Sequence, residues 1–321
     1  MSVLAAMALV VWLGARTQAQ HSAALDGVNT SLQQGEADQA LSLLDGLPAG
    51  ESGSAEMHNL RCRVYFILEN FDIAVKECQQ AVQAEGQNSD YHMWLGRALG
   101  EKASRASFVS AYGLAKRTRE EFEQATQLNP RNADALADLG EFYSSAPGVV
   151  GGGMDKAQGV AAQLDKVDPA RAHELRARIA EGNKDYATAE REFHAAIAAS
   201  AHPAFQWMTL ASYLRRRERM DEMDAAIQKG WNLAQQEHAA VALYNGASVL
   251  IKANRNLALA AKMLDVYLAS PMKTEEAPAF TAHVQRARVA AKLGDTVTAK
   301  RERDAALALA KEYKPALDLK F

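Results

Sequence analysis

Apolar residues recur along this chain with the spacing of helices. The clearest case is a set of four residues placed 3, 4 and 3 positions apart: Tyr186, Ala189, Phe193 and Ala196. A helix carries all four on one face, and polar residues fill the positions between them. Three prolines, spaced by 39 and 34 residues, follow apolar runs of this kind: Pro130, Pro169 and Pro203. The pattern predicts amphipathic helices arranged in a repeat.

Alternation of small and large residues on these faces predicts that the helices pair. Small residues lie where two antiparallel helices approach closely, and large ones fill the space beside them. One hairpin cannot bury its apolar face alone, so neighbouring hairpins stack into an array. Abundant alanine and only 8 prolines agree with an all-α fold. The repeat predicts about eight hairpins, near residues 22–50, 54–86, 88–130, 133–169, 170–202, 204–236, 238–271 and 278–312.

These motifs resemble the tetratricopeptide repeat (TPR). Its second helix carries Tyr, Ala, Phe and Ala at the spacing seen from Tyr186 to Ala196. The first-helix half of the repeat is similar to 94–99, 135–143 and 207–213. The resemblance implies a right-handed superhelical solenoid, with second helices outside and first helices lining a concave groove. The outer hairpins depart from the pattern, with Ser31 and Ala290 in place of tyrosine, as expected of repeats that cap a stack.

The resemblance also implies a binding surface for a protein or peptide in that groove. Carried over position by position, the groove residues are Met93, Arg97, Glu141, Ser144, His173, Met208, Ser212, Arg215 and Arg216. Apolar and cationic side chains together suit a partner segment of acidic character. Met93 and Arg97 stand where the chaperone-tail clamp has Lys and Asn, so recognition of a C-terminal carboxylate is not expected. A polar groove without a partner is the alternative.

Two hairpins are longer than the 34-residue period. The third has about ten extra residues near 100–113, which would lengthen its turn or first helix. The fourth has extra residues at 146–153, which include four glycines and precede Lys156. A phosphate-binding loop needs Gly-Lys-Ser/Thr after a strand, whereas here Met154 follows the last glycine and a helix precedes the stretch. An enlarged turn is therefore predicted. The two inserts would project from the same edge of the superhelix, which is a second candidate docking site, and solvated loops without a partner are the alternative.

The N-terminal residues have the composition of an export signal. Residues 3–15 are an apolar run that is shorter than a membrane span. Thr17 and Ala19 have the small-x-small spacing of a signal-peptide cleavage site. We expect a signal peptide at 1–19 and a periplasmic or otherwise exported array at 20–321. No Lys or Arg precedes the run, so an uncleaved inner-membrane anchor facing the periplasm is the alternative.

A disulfide between Cys62 and Cys78 is expected from the repeat frame. That frame places Cys62 on a first helix and Cys78 on the facing second helix of one hairpin. An exported chain meets an oxidising compartment, which favours the bond. Two reduced, buried cysteines are the alternative.

Catalytic and metal-binding motifs are not recognisable in the sequence. His173-Glu174 lacks the second histidine of a zinc-protease helix, and the eight histidines are scattered. We expect no cofactor and no enzyme activity. A net charge of −3 disfavours nucleic acid as a partner. The basic run from Arg215 to Arg219 is interpreted as a solvated helix end or a partner-facing patch.

The sequence therefore predicts a non-catalytic, protein- or peptide-binding scaffold of the cell envelope. A membrane-tethered assembly factor that keeps residues 1–19 is the first alternative. A nucleotide-binding enzyme that uses the 148–153 glycine turn is the second.

Overall fold

The computed structural model describes residues 25–47, 53–237 and 239–321. The predicted signal peptide, residues 1–19, lies outside the described residues. Within those residues the regular secondary structure is entirely helical, which confirms the all-α class. No helix in these three ranges has both the length and the hydropathy that crossing a membrane requires.

Seventeen α-helices follow one another within the described ranges. Their bounds are α1 25–34, α2 Ala37–Asp45, α3 Ala55–Ile67, α4 Phe71–Ala84, α5 Ser89–Ser104, α6 Phe108–Leu128, α7 Ala133–Ser145, α8 Met154–Leu164, α9 Pro169–Gly182, α10 Tyr186–Ala199, α11 Ala204–Arg216, α12 Met220–Glu237, α13 Ala240–Ala253, α14 Leu257–Ala269, α15 Ala279–Lys292, α16 Thr296–Leu309 and α17 Lys314–Leu317. Each odd-numbered helix from α1 to α15 forms a hairpin with the helix after it, so the predicted helical solenoid is confirmed.

Small buried residues allow the helices of each hairpin to approach closely. The side chains of Ala157, Ala189 and Ala299 are completely buried, and Ala196 is 1% exposed. Phe193 packs beside these positions in the fifth hairpin and lies 4.9 Å from the ring of Tyr213 on α11. The small residues of the sequence therefore lie where paired helices touch, and the large residues fill the spaces beside those contacts.

A left-handed residue closes the turn of most hairpins. It is a glycine or asparagine in three turns, namely Gly35, Asn254 and Gly294, and another residue in three more, namely Glu69, Lys184 and Glu218. A residue in this conformation lets the chain reverse within two or three positions. Aspartates then begin the next helix: Asp185 accepts from the amide of Thr188, and Asp295 accepts from that of Thr298.

The last hairpin packs against the first, so the solenoid closes into a ring. Phe280 and Val284 of α15 share an apolar cluster with Leu32 of α1 and Leu60 of α3. The hydroxyl of Tyr313 donates to Glu69 at 2.9 Å. Ser31 and Ala290, expected to mark capping repeats, are 5% and 1% exposed. The two ends of the array therefore cover each other.

Gly35 is required at the junction of the two ends. A β-carbon at this position would overlap the backbone nitrogen of Ala279. The φ of Gly35 is also +73°, which L-residues with side chains rarely adopt. Both the turn and the close approach of α15 therefore exclude a side chain here.

The insertion in the third hairpin lengthens mainly its second helix. α5 spans Ser89–Ser104 and α6 spans Phe108–Leu128, so most of the extra residues lie in α6 and the sequence-based expectation of a longer turn or first helix was incomplete. The first turns of α6 extend into solvent, with Phe108 91% and Val109 84% exposed.

The glycine-rich stretch connects α7 to α8. Helix α7 ends at Ser145, Pro147 follows, and residues Gly148–Val150 form one 3-10 turn. Gly151 alone of the four glycines has a left-handed φ, while a β-carbon on Gly152 would overlap the carbonyl of Ala146. The stretch is therefore an enlarged turn, as predicted, and only Gly151 of its glycines uses the left-handed conformation.

The two cysteines lie in the second hairpin, as the repeat frame predicts. Cys62 on α3 and Cys78 on α4 are both fully buried. Their Cα atoms are 5.2 Å apart and their sulfur atoms are at bonding distance. This Cα separation is within the range that a disulfide requires. Thiol titration of the unfolded protein without reductant measures the bond directly, and no free thiol is expected.

Candidate binding site on the inner surface of the ring

The first helices of successive hairpins line a large, open cavity on the inner surface. Its volume is about 800 Å³, and its walls come from α5, α7, α9, α11 and α13. Glu276, from the connection between α14 and α15, closes one side. The polar and aromatic residues that line it include Arg97, Asp134, Asp138, Glu141, Arg171, Glu174, Arg178, His202, Phe205 and Gln206. The site exists only because the hairpins are arranged around a common centre.

A second cavity of about 410 Å³ adjoins the first and is more polar. It lies between α1, α3, α5 and α7, and shares Arg97, Asp134 and Glu276 with the larger cavity. Asn59 of α3 lines it and is 6% exposed, and its side-chain nitrogen has no hydrogen-bond partner. A buried amide donor without a partner costs about 1–3 kcal/mol, which an acceptor entering the cavity would offset.

Ion pairs join the first helix of one hairpin to that of the next across the inner surface. Arg97 of α5 donates to Asp138 of α7 at 2.5 Å, and both side chains are about four-fifths buried. Further pairs of the same kind are Arg171 with Asp134, Arg178 with Glu141, and Arg216 with Glu181. Two of the three arginines predicted to bind a partner's carboxylates, Arg97 and Arg216, are therefore already paired within the chain.

Burial and charge act in opposite directions on the central pair. Burial raises the pKa of Asp138 above its ordinary value, although the Arg97 guanidinium acts against this rise. Burial alone would lower the pKa of Arg97, but the charges of Asp138, Asp134 and Glu276 outweigh it and raise that pKa. Glu276 is therefore electrostatically part of the site.

Two guanidinium groups contact the indole of Trp94 on α5. Arg63 of α3 lies 5.5 Å from the centre of the indole, and Arg97 lies 4.9 Å from it. A cation over an indole face is stabilised by the ring quadrupole by about 0.5–2 kcal/mol. The two arginines are thus fixed at the boundary of the smaller cavity.

Arg63 of α3 is bound by the connection between α14 and α15. Nε and Nη2 of Arg63 donate to the two carboxylate oxygens of Glu275 at 2.9 and 3.1 Å. The two side chains are 19% and 18% exposed. This two-point contact crosses the ring between residues 212 positions apart.

The sequence-predicted groove residues divide into two groups. Six line one of three inner cavities: Met93, Arg97 and Glu141 in the two described above, and Met208, Ser212 and Arg216 in a third of about 220 Å³ between α9, α11 and α13. Met208 is only 1% exposed and packs against Gly230 and Gly246, so it is mainly a core residue.

The other three predicted residues line none of these cavities. His173 bonds to Glu192 of α10 at 2.7 Å and so faces the second helix of its hairpin. Ser144 donates to the carbonyl of Glu141 on its own helix. The Nε of Arg215 is buried without a partner. The repeat frame assigned their positions without side-chain directions, which the local packing decides.

A histidine–glutamate pair recurs along the chain and was not recognised from the sequence. Three hairpins join a first-helix His to a second-helix Glu that follows 19 residues later: His58 to Glu77, His173 to Glu192 and His283 to Glu302, each at 2.7 Å. The third hairpin has the pair His92 to Glu121 with a separation of 29, which its insertion explains. Half of the histidines are therefore not scattered, and this spacing was the signal that could have revealed them.

In two of these pairs the contact shifts a pKa. The hydrogen bond that the His92 ring donates to Glu121 raises the pKa of His92 above 6.5, in spite of burial. Burial acts to raise the pKa of Glu302, but hydrogen bonds from His283 and Arg301 outweigh it and lower that pKa. The pairs cross-link the two helices of a hairpin, and the described residues contain no group of three or more His, Cys, Asp or Glu that could hold a metal ion.

The basic run that ends α11 is bound to the preceding hairpin. Arg216 pairs with Glu181, Arg217 lies 3.5 Å from the centre of the Tyr186 ring, and Arg219 binds Glu190. The run therefore stabilises the stacking of the fifth and sixth hairpins.

Comparisons with known proteins give fold-level similarity only. No protein-family model matches the chain, and no curated protein matches its sequence. A thermophilic TPR protein from Thermus thermophilus is similar in structure over 58% of this chain and 90% of its own, at 17% identity and a TM-score of 0.45. The MamA protein matches over 56% and 90%, at 18% identity and a TM-score of 0.42. A structure of Pseudomonas aeruginosa pilF matches over 82% and 95%, at 14% identity and a TM-score of 0.38.

The chain's own geometry defines its fold. Helical hairpins follow one another throughout the described residues, small residues are buried where their helices meet, and the first helices line the inner surface. The described residues therefore form a helical-repeat array of stacked hairpins.

Proposed function

We propose that this chain is a non-catalytic scaffold of the cell envelope that binds a protein or peptide on the inner surface of its ring. One observation carries the proposal. Side chains from five successive first helices converge on a cavity of about 800 Å³ that combines apolar walls with charged groups. Such a surface offers contacts along an extended or helical segment.

The chemistry of the cavity supports binding in preference to catalysis. Its arginines and carboxylates are paired with one another, so they are not poised as an acid and a base. The glycine turn is also engaged, because Lys156 donates to the carbonyl of Gly151 at 3.0 Å and lies over the Tyr143 ring. Both observations argue against the nucleotide-binding alternative.

Export is part of the proposal and has a separate test. It rests on the composition of residues 1–19 and on the pairing of Cys62 with Cys78, since disulfides persist in oxidising compartments. Fractionation and N-terminal sequencing separate the two envelope alternatives. A mature protein beginning at Gln20 supports a cleaved signal, whereas retention of residues 1–19 in the membrane fraction supports the anchor.

The binding proposal is tested by partner capture after crosslinking in intact cells. Inner-surface variants Arg97→Gln and Arg178→Gln are compared with Arg191→Gln, which alters an exposed position on the second helix α10. Circular dichroism first establishes that all three variants are folded. Capture should fall at least about tenfold for the inner variants, a loss that corresponds to about 1.4 kcal/mol, and remain unchanged for the outer one.

Capture that neither inner variant diminishes would contradict the proposal. The binding site would then lie off the inner surface, and the next region to test would be the insertion near 100–113, where Phe108 and Val109 are exposed. Phe108→Ser with Val109→Ser is the corresponding variant pair.

A further inference from the structure

The connection between α14 and α15 is one of the longer connections between hairpins. Residues 270–278 form it, whereas residues 129–132 and 165–168 suffice for the connections after α6 and α8. Met272 is 62% exposed, but the C-terminal part of the segment packs against the ring. Ala277 and Pro278 are buried, and the hydroxyl of Tyr267 donates to the carbonyl of Ala277. The segment is therefore held against the ring.

Two consecutive glutamates of this segment lie on the inner surface. Glu275 accepts from Nε and Nη2 of Arg63, and Glu276 lines the two larger cavities. Lys273 instead donates to the carbonyl of Ser270 within the segment and to the side chain of Gln34 on α1. The two carboxylates therefore face the inner surface, whereas Lys273 is bound by Ser270 and Gln34.

The site around Glu275 offers more polar contacts than are needed to hold residues 270–278 against the ring. Arg63 has a fixed position because Trp94 and the side chain of Asn29 also contact it. Asn59 beside it presents a buried amide nitrogen with no partner. The cavity therefore provides a donor that the resident segment does not satisfy.

We propose that residues 273–276 occupy, within the chain, the position that an acidic segment of a partner takes on the inner surface. The partner segment is an extended peptide with two consecutive carboxylates. One carboxylate replaces Glu275 on Arg63, and a peptide or side-chain oxygen accepts from Asn59. This inference rests on the proposed function and deepens it, because it names the class of partner and the contact that a partner displaces.

Competition between the two segments follows from the covalent connection. A tethered segment acts at an effective concentration on the order of millimolar, so a free peptide at micromolar concentration does not displace it from the wild-type chain. Removing the two carboxylates of the resident segment frees Arg63 and removes the competitor. The site then becomes measurable with a simple probe.

The probe is a fluorescent peptide with the sequence of residues 270–278, blocked at both ends. Its binding to the full chain is followed by fluorescence anisotropy. The double variant Glu275→Ala/Glu276→Ala should bind the peptide at least about tenfold more tightly than wild type, because its competitor is gone. The matched control Glu312→Ala/Asp318→Ala removes two exposed acidic side chains near the C-terminus and should bind as wild type does.

Two further arms identify the contact. A peptide with glutamine at both glutamate positions should bind the double variant at least about tenfold more weakly, since the charge-assisted hydrogen bonds to Arg63 are lost. Adding Arg63→Gln to the double variant should remove the gain. If circular dichroism shows that the double variant is not folded, the single variant Glu275→Gln, which keeps the side-chain shape, is used in place of the double variant.

The possible outcomes separate the inference from the proposed function. A folded variant that binds the peptide no better than wild type, or equally with glutamine in the peptide, overturns the inference. If inner-surface variants still abolish partner capture, the proposed function stands without it. If capture does not depend on the inner surface while the peptide binds as expected, the proposed function fails and the acidic site remains.

Discussion

At the scale of single residues, backbone conformation explains choices that apolar periodicity does not show. The same left-handed turn position holds Gly294 in the last hairpin and Lys184 in the fifth. Periodicity predicts that a turn occurs there, but it carries no information on φ. A side chain in the left-handed region costs about 1–2 kcal/mol, so the two turns are not equally strained.

Exchanging the residue type at this position should shift stability in opposite directions. Lys184→Gly relieves the strain at φ 62° and should stabilise the folded chain by up to about 1 kcal/mol. Gly294→Ala introduces the strain at φ 82° with no neighbouring atom within 4 Å, and should destabilise by about 1 kcal/mol. Chemical denaturation measures both. Equal stability of Lys184→Gly and wild type would show that the strain is absent.

The His92–Glu121 pair predicts a pH-dependent contribution to stability. The folded pKa of His92 lies above 6.5, so the contribution is fully present below pH 6.5 and is lost as pH rises through the folded pKa. His92→Gln should therefore lower the melting temperature more at about pH 6 than at about pH 9. His194→Gln is the control, because the His194 ring packs against Trp207 instead of a carboxylate. An equal loss at both pH values would contradict the predicted protonation.

At the scale of elements, the sequence predicts pairing well and insertions less well. Ala189 and Ala196 identify the face of α10 that meets α9, because small residues can serve only where helices are close. The extra residues of the third hairpin are detectable because they break the 34-residue period of the repeat. Their position in α6 cannot be predicted from the sequence, since both helices and turns accommodate polar and small residues. The His–Glu separation of 29 locates them between His92 and Glu121.

Enlarging a close-packing alanine tests the assigned register. Ala196 is 1% exposed, so Ala196→Leu must push α10 away from α9 and should destabilise by about 1–3 kcal/mol. Ala198→Leu places the same side chain at an exposed position of the same helix and should change stability by less than about 0.5 kcal/mol. Indistinguishable melting temperatures for the two variants would mean that the register is wrong.

At the scale of the whole molecule, the closure of the ring was not predicted from the sequence. Closure depends on the sum of small rotations between successive hairpins, and no repeat motif encodes that sum. Two local signals were present without being interpreted. Gly35 is a glycine at a position of close backbone approach, and the predicted hairpins left residues 272–277 unassigned. That unassigned segment is the one that enters the inner surface.

Closure of the ring can be tested with two equivalent buried phenylalanines. Phe280 lies at the junction, fully buried and 4.7 Å from the ring of Tyr313, and Phe193 lies inside the array, 1% exposed and 4.9 Å from Tyr213. Each substitution to alanine should destabilise by about 3–5 kcal/mol. Only Phe280→Ala removes a contact between the two ends, so only this variant should increase the radius of gyration by small-angle X-ray scattering while helix content is retained. An unchanged radius for folded Phe280→Ala would show that the contacts around Gly35, Tyr313 and Arg63 hold the ring closed without this side chain. An equal increase for Phe193→Ala would show that the expansion is not specific to the junction.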